Sequence, residues 1–93
     1  MFENTTIIGC GLIGSSILKA IIKKKISKNI ICYDKSKEVL SFLKQENLGI
    51  NISSDIGLSV KDADLIIIST PLSAYKEILL SIKNNLKKNS ILT

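Results

Sequence analysis

Gly9, Gly11 and Gly14 stand at the spacing G-x-G-x-x-G in the run Gly9-Cys10-Gly11-Leu12-Ile13-Gly14, and an acidic residue, Asp34, follows twenty positions after the last of them. Glycines so spaced suit a backbone that must come close to a phosphate group. Each has its own mechanical task. Gly9 permits a tight turn off a strand, Gly11 omits a side chain where the backbone meets a pyrophosphate, and Gly14 lets the following helix pack closely on a sheet. The N–H groups of Leu12 and Ile13 fall in that helix's first turn, where they lack intrahelical acceptors and point with the positive end of the helix dipole. An anion is expected there. Asp34 can accept hydrogen bonds from both hydroxyls of an adenosine ribose and would repel a 2′-phosphate, so the pattern favours NAD over NADP, with Lys35 offsetting part of that repulsion. The competing reading is a tight turn whose glycines serve packing alone.

These residues do chemistry only if strands and helices place them. Residues 5–8 form a β-branched run that stops at Gly9, as a buried strand does. Ile13, Ile17, Leu18, Ala20 and Ile21 then recur at three- and four-residue steps, predicting a helix that ends near Lys24 or Lys25. Residues 29–33 are a second strand ending at Asp34, and Ser36 is the expected N-cap of a helix carrying Val39, Leu40, Phe42 and Leu43 and closed by Gly49. A weak strand over 50–52 and a short helical turn from Asp55 toward Val60 come next. Residues 65–68 are continuously apolar, as in a strand buried on both faces of a parallel sheet. Residues 73–84 carry Ala74, Ile78, Leu79 and Ile82 at helical spacing, and 90–93 begin a further strand. Strand and helix alternate throughout. Parallel strands need crossovers of about a dozen residues, so the expectation is an α/β fold: a doubly wound, Rossmann-like parallel sheet of about five strands, with residues 1–93 as a single domain.

Ser69-Thr70-Pro71 follows the fourth strand and lies at the carboxyl edge of the sheet, where the strand order reverses and ligands bind. Thr70 and Pro71 are therefore candidate binding residues. The plainer reading is a proline that ends a strand and starts a helix.

Composition narrows the classes. With 45% hydrophobic and 23% charged residues the chain matches ordinary globular usage and excludes disorder and fibrous repeats. No apolar run reaches the ~18–20 residues of a membrane span, and no basic region precedes a cleavable apolar stretch, so a soluble, cytoplasmic protein without membrane contact is expected. Cys10 and Cys32 are too few for a disulfide scaffold, match no zinc pattern, and read as apolar filler in a reducing compartment. All thirteen basic residues are lysines and the net charge is +5. The lysines are scattered, the run Lys23-Lys24-Lys25 falls where a helix end favours cations, and aromatics for base stacking are scarce, so no nucleic-acid partner is expected.

From Thr6 to Leu92 the sequence resembles the N-terminal nucleotide-binding domain of prephenate dehydrogenase and arogenate dehydrogenase. The resemblance lies in Ile7-Ile8-Gly9-Cys10-Gly11-Leu12-Ile13-Gly14-Ser15-Ser16, in Tyr33-Asp34-Lys35-Ser36, in Lys61-Asp62-Ala63-Asp64-Leu65-Ile66-Ile67-Ile68 and in Ser69-Thr70-Pro71. Ser15 departs from the further glycine common in the family. The 3-hydroxyacid and pyrroline-carboxylate dehydrogenases share pieces of the pattern. What the resemblance implies is NAD-dependent oxidative decarboxylation of a cyclohexadienyl acid in tyrosine biosynthesis, with a histidine engaging the ring hydroxyl and arginines helping to hold the side-chain carboxylate, both downstream of this domain. This chain contains neither residue type. The family's next motif, Asp-x-Gly-Ser-x-Lys, would begin directly after Thr93, and a helical dimerisation domain would follow it. The expectation is thus the cofactor half of an enzyme, cut at a strand: an expressed fragment, a split or degraded gene product, or a stand-alone module. Substrate would be met only with the missing domain, and a homodimer or a complementing C-terminal fragment would be the partner. Two other classes stay open: a dinucleotide-binding interaction module, and the cofactor domain of another 3-hydroxyacid-type dehydrogenase.

Overall fold

The computed structural model describes residues 2–88 and 90–93, with every side chain among them except that of Leu12. The elements run β1 (Phe2–Ile8), α1 (Leu12–Lys24), β2 (Ser27–Tyr33), α2 (Lys37–Glu46), β3 (Asn51–Ser53), α3 (Ile56–Val60), β4 (Leu65–Ile68), α4 (Leu72–Ile82) and β5 (Ile91–Leu92). They build one parallel sheet in the order β3-β2-β1-β4-β5. β1 is central: Ile7 stands between Cys32 on one side and Ile67 on the other, and Ile8 between Tyr33 and Ile68. This is the doubly wound α/β fold, and the strand order reverses between β1 and β4.

Alternation along the strands divides the core into two layers. Ile7, Ile30 and Cys32 face α1 and α2 with Leu18, Ile21 and Leu43, while Ile8 and Ile66 face α3 and α4 with Val60, Ala63 and Ile82. Successive strand residues point to opposite faces, so neighbours in sequence serve different layers. Ile7, Ile8, Leu18, Ile66 and Ile82 are fully buried, each contributing about 1.5–3 kcal/mol relative to exposure.

Helix ends differ from the expected ones in instructive places. Ser36 caps α2 by accepting the Val39 N–H at 3.3 Å, as its type predicts. The same helix ends not at Gly49 but at Asn47, which takes the left-handed conformation at φ +50°. Asparagine tolerates that region because its side chain can bond locally. α1 ends at Lys25, also left-handed, with the Ile26 N–H closing back on the Ile21 carbonyl at 3.1 Å. β1 and β2 begin earlier than their apolar runs, at Phe2 and Ser27, because these residues pair with each other across the sheet.

Candidate functional site

Where β1 ends the chain turns at Gly9, whose φ of +90° lies in the left-handed region that a side chain disfavours. Its N–H donates to the Tyr33 carbonyl at 2.8 Å, tying the turn to the end of β2. The turn brings α1 down so tightly that a Cβ on Gly14 would lie 2.1 Å from the Gly9 carbonyl oxygen and 2.8 Å from Ser69 Oγ. Ser69 Oγ donates to that Gly9 carbonyl, joining the β4 exit to the β1 exit. Gly11 differs from both. Its φ is an ordinary −72°, and a Cβ there would meet no atom within 4 Å. Nothing in the protein requires glycine at that position; its missing side chain leaves room only for something from outside.

That room opens on a cavity of about 500 Å³ at the carboxyl ends of β1, β2 and β4, within the ~300–1,000 Å³ range of small-molecule sites. Gly9, Gly11, Asp34, Thr70 and Pro71 all line it, so five residues expected from sequence converge on one space. Gly14 is buried beneath the loop. The Ile13 side chain is 70% exposed and does not line the cavity. The Leu12 side chain lies outside the described residues, although its backbone opens α1.

Three features give the cavity its chemistry. First, α1 has Gly11 as its N-cap, no side-chain cap bond and no acid in its first turn, so no side chain of its own cap or first turn meets the partial positive charge of its N-terminus. α4, entering through Pro71, is uncapped and acid-free in the same way, whereas α2 and α3 carry Ser36 and Asp55 as side-chain caps. Second, Thr70 Oγ1 is buried with no hydrogen-bond partner among the described residues, a state that costs about 1–3 kcal/mol unless a ligand or water relieves it. Third, the half-buried Asp34 accepts the Cys10 N–H on Oδ2 and the Ser36 N–H on Oδ1, each at 2.9 Å. A carboxylate has about four acceptor sites, so two remain for a ligand. The cradle fits a molecule that combines an anionic group with a vicinal diol.

Cys10 is not a reactive group in this arrangement. The neighbouring Cys32 thiol and burial push its pKa well above the ordinary value and hold it protonated, and the thiol donates to the Tyr33 and Ile7 carbonyls at 3.6 and 3.7 Å. At the other end of the sheet Asp64 accepts the Asn4 N–H at 2.9 Å and pairs with Lys87, which together hold its carboxyl below the usual range. Among the described residues no group of three or more His, Cys, Asp or Glu could hold a metal ion, and no helix is long and apolar enough to cross a membrane.

Sequence reasoning did not anticipate the wall that α4 contributes. Ala74 and Ile78 line the cavity together with Glu77 and Ser81, while Ile82 on the same stripe is buried in the core. A 3.6-residue apolar period looks alike whether it meets a core or a ligand. The Ser69 hydroxyl bond likewise has no signature in sequence, since it depends on how two strand exits meet.

The family described as NADP oxidoreductase coenzyme F420-dependent matches residues 4–93. A cyclohexadienyl dehydrogenase from Zymomonas mobilis is 35% identical over 92 residues, which are 99% of this chain and 31% of that protein. The chain thus spans about a third of the length of the curated relative it matches. Among solved structures, prephenate dehydrogenase from A. aeolicus, in complex with hydroxyphenyl propionate and NAD+, aligns with a TM-score of 0.87 at 21% identity over 99% of this chain and 32% of that one. A pyrroline-5-carboxylate reductase from Coxiella burnetii aligns with a TM-score of 0.81 at 23% identity over 92% of this chain and 32% of that one. At such identities the two structures establish a shared fold.

Proposed function

This chain belongs to the family described as NADP oxidoreductase coenzyme F420-dependent, and from that premise we propose that it is the NAD-binding part of a dehydrogenase that oxidatively decarboxylates prephenate or arogenate. Family and fold together make it a Rossmann-type domain of an NAD(P)-linked oxidoreductase. The observation that carries the finer reading is the cradle: an uncapped helix start beside the open face of Gly11, with a carboxylate at the end of the neighbouring strand.

In this reading the backbone of Gly9, Gly11, Leu12, Ile13 and Gly14 receives the diphosphate, and Asp34 accepts the adenosine ribose hydroxyls. Gly14 contributes by letting the helix approach. Thr70 and Pro71 close the crevice from the β4 side, where the unpartnered Thr70 hydroxyl gains a partner. NAD held there supplies a hydride acceptor. The relative from Zymomonas mobilis, at 35% identity, supports the cyclohexadienyl substrate class. The chain has no histidine and no arginine, so the groups that would engage the ring hydroxyl and the substrate carboxylate are not supplied by it, and the purified chain should turn over no prephenate.

A second reading, NADP as cofactor, is favoured by Lys35, which lines the same cavity, and by the family's description. Charge decides between them. A carboxylate and a 2′-phosphate charge ~5 Å apart repel by about 3 kcal/mol at an effective dielectric of ~20. With Lys35 offsetting part of that, NADH should still bind at least about tenfold more tightly than NADPH. Titration of the purified chain with each, followed by nicotinamide fluorescence, makes the comparison. Equal affinities, or tighter NADPH, would overturn the choice of NAD.

A further inference from the structure

We infer that Asp34 is a positioning residue for the glycine loop, and that this task is separate from any grip on a sugar. The inference rests on the dinucleotide reading only for what the loop binds. Two N–H bonds hold the loop to the end of β2, Gly9 N–H to the Tyr33 carbonyl at 2.8 Å and Cys10 N–H to Asp34 Oδ2 at 2.9 Å, and a third, Ser36 N–H to Asp34 Oδ1 at 2.9 Å, fixes the carboxylate itself. The first is strand-like and independent of side chains. The other two run through one carboxylate.

Cys10 is 2% exposed, and its N–H would lose its acceptor in a chain lacking this carboxylate. A buried N–H cannot turn to water without moving its peptide, and the peptide concerned joins Gly9 to Cys10, the residue before the N-cap of α1. The direction of that peptide sets where Gly11 and the first-turn N–H groups point. Asp34 also bonds Ser36, the N-cap of α2, so a single side chain fixes the starts of two helices relative to β2. Such bonds lie wholly within the protein, and a loop fixed by them needs less ordering on binding. Asparagine offers one carbonyl oxygen and an amide that cannot accept, so it can replace one of the two bonds and not both.

The test separates loop from sugar. In the ligand-free chain, amide hydrogen exchange at Cys10 and Ser36 should speed up at least tenfold in Asp34→Ala, while Ile66 in β4 exchanges as before. Asp34→Asn should protect one of the two amides and release the other. If Asp34→Ala fails to fold, Asp34→Asn alone carries the comparison. With an NADH analogue whose adenosine ribose lacks both hydroxyls, the substitution should still weaken binding severalfold, because the loss comes through the loop. Unchanged exchange at both amides, or an analogue that binds variant and wild type equally, would overturn the positioning role. Should the wild type bind neither NADH nor the analogue, the dinucleotide reading fails while the exchange result stands by itself.

Discussion

Replacing Gly11 with alanine should leave the fold intact and weaken the ligand, and the structure gives both magnitudes. The site of the added methyl has no atom within 4 Å and the backbone is extended, with φ −72° and ψ −151°. Glycine to alanine at a compatible position gains about 0.4–1 kcal/mol by restricting the unfolded chain. Alanine is also a poorer N-cap than glycine, which costs roughly 0.5–1 kcal/mol. The two offset, so the melting temperature should move by no more than ~4 °C in a domain of this size. Binding has no such compensation. A methyl in the cradle holds a diphosphate away from the α1 N–H groups, and losing one or two charge-assisted bonds at about 1.5–3 kcal/mol each weakens NADH by ~10-fold to 100-fold or more. Thermal unfolding and calorimetric NADH titration of the same Gly11→Ala sample read both numbers. Wild-type affinity in a folded variant would refute the placement of the diphosphate, and a fall of more than ~10 °C would refute the claim that the space is free of protein contacts.

Gly14→Ala should do the reverse. Its Cβ would sit 2.1 Å from a backbone oxygen, and overpacking of about 1–3 kcal/mol or more lowers the melting temperature by ~5–20 °C, measurable by circular dichroism. Cys10 and Cys32, 2% and 0% exposed, should resist iodoacetamide at neutral pH until the chain is unfolded, because only an exposed thiolate reacts; mass spectrometry showing prompt labelling of the native chain would contradict the packing of the loop on β2. Asp64 is held below its ordinary value of 3.8 by Lys87 and by the Asn4 N–H. Its stabilising contribution is therefore complete above that pH and is lost as pH falls through the lowered folded value. The stability difference between wild type and Asp64→Asn, followed by urea unfolding, should be constant at neutral pH and vanish in strong acid.

Much of this architecture is legible from residues alone because the strands announce themselves twice. The β-branched run at 5–8 and the apolar run at 65–68 are short and lack polar–apolar alternation, as strands of a sheet covered on both faces do. The glycine spacing and Asp34 then fix which strand ends face the crevice. Boundaries were less readable where the cause is distant: Phe2 joins β1 through Ser27, and α2 stops at Asn47 because a left-handed asparagine suffices before Gly49 is reached. Two features of the candidate site had no local signal. The Ala74–Ile78 wall shares its period with the core stripe that ends at Ile82. The bonds from Cys10 and Ser36 to Asp34 join residues whose meeting depends on the finished sheet.

Mapping NADH-induced amide shifts over the whole chain shows whether the crevice between the β1, β2 and β4 exits receives the dinucleotide. Saturable shifts should concentrate at residues 9–14, at Asp34 and Lys35, and from Thr70 to Ile78. Shifts confined to the second cavity, lined by Leu40, Ser41, Lys44, Ile50, Asn51 and Ile52, or no shifts at millimolar NADH, would contradict that placement.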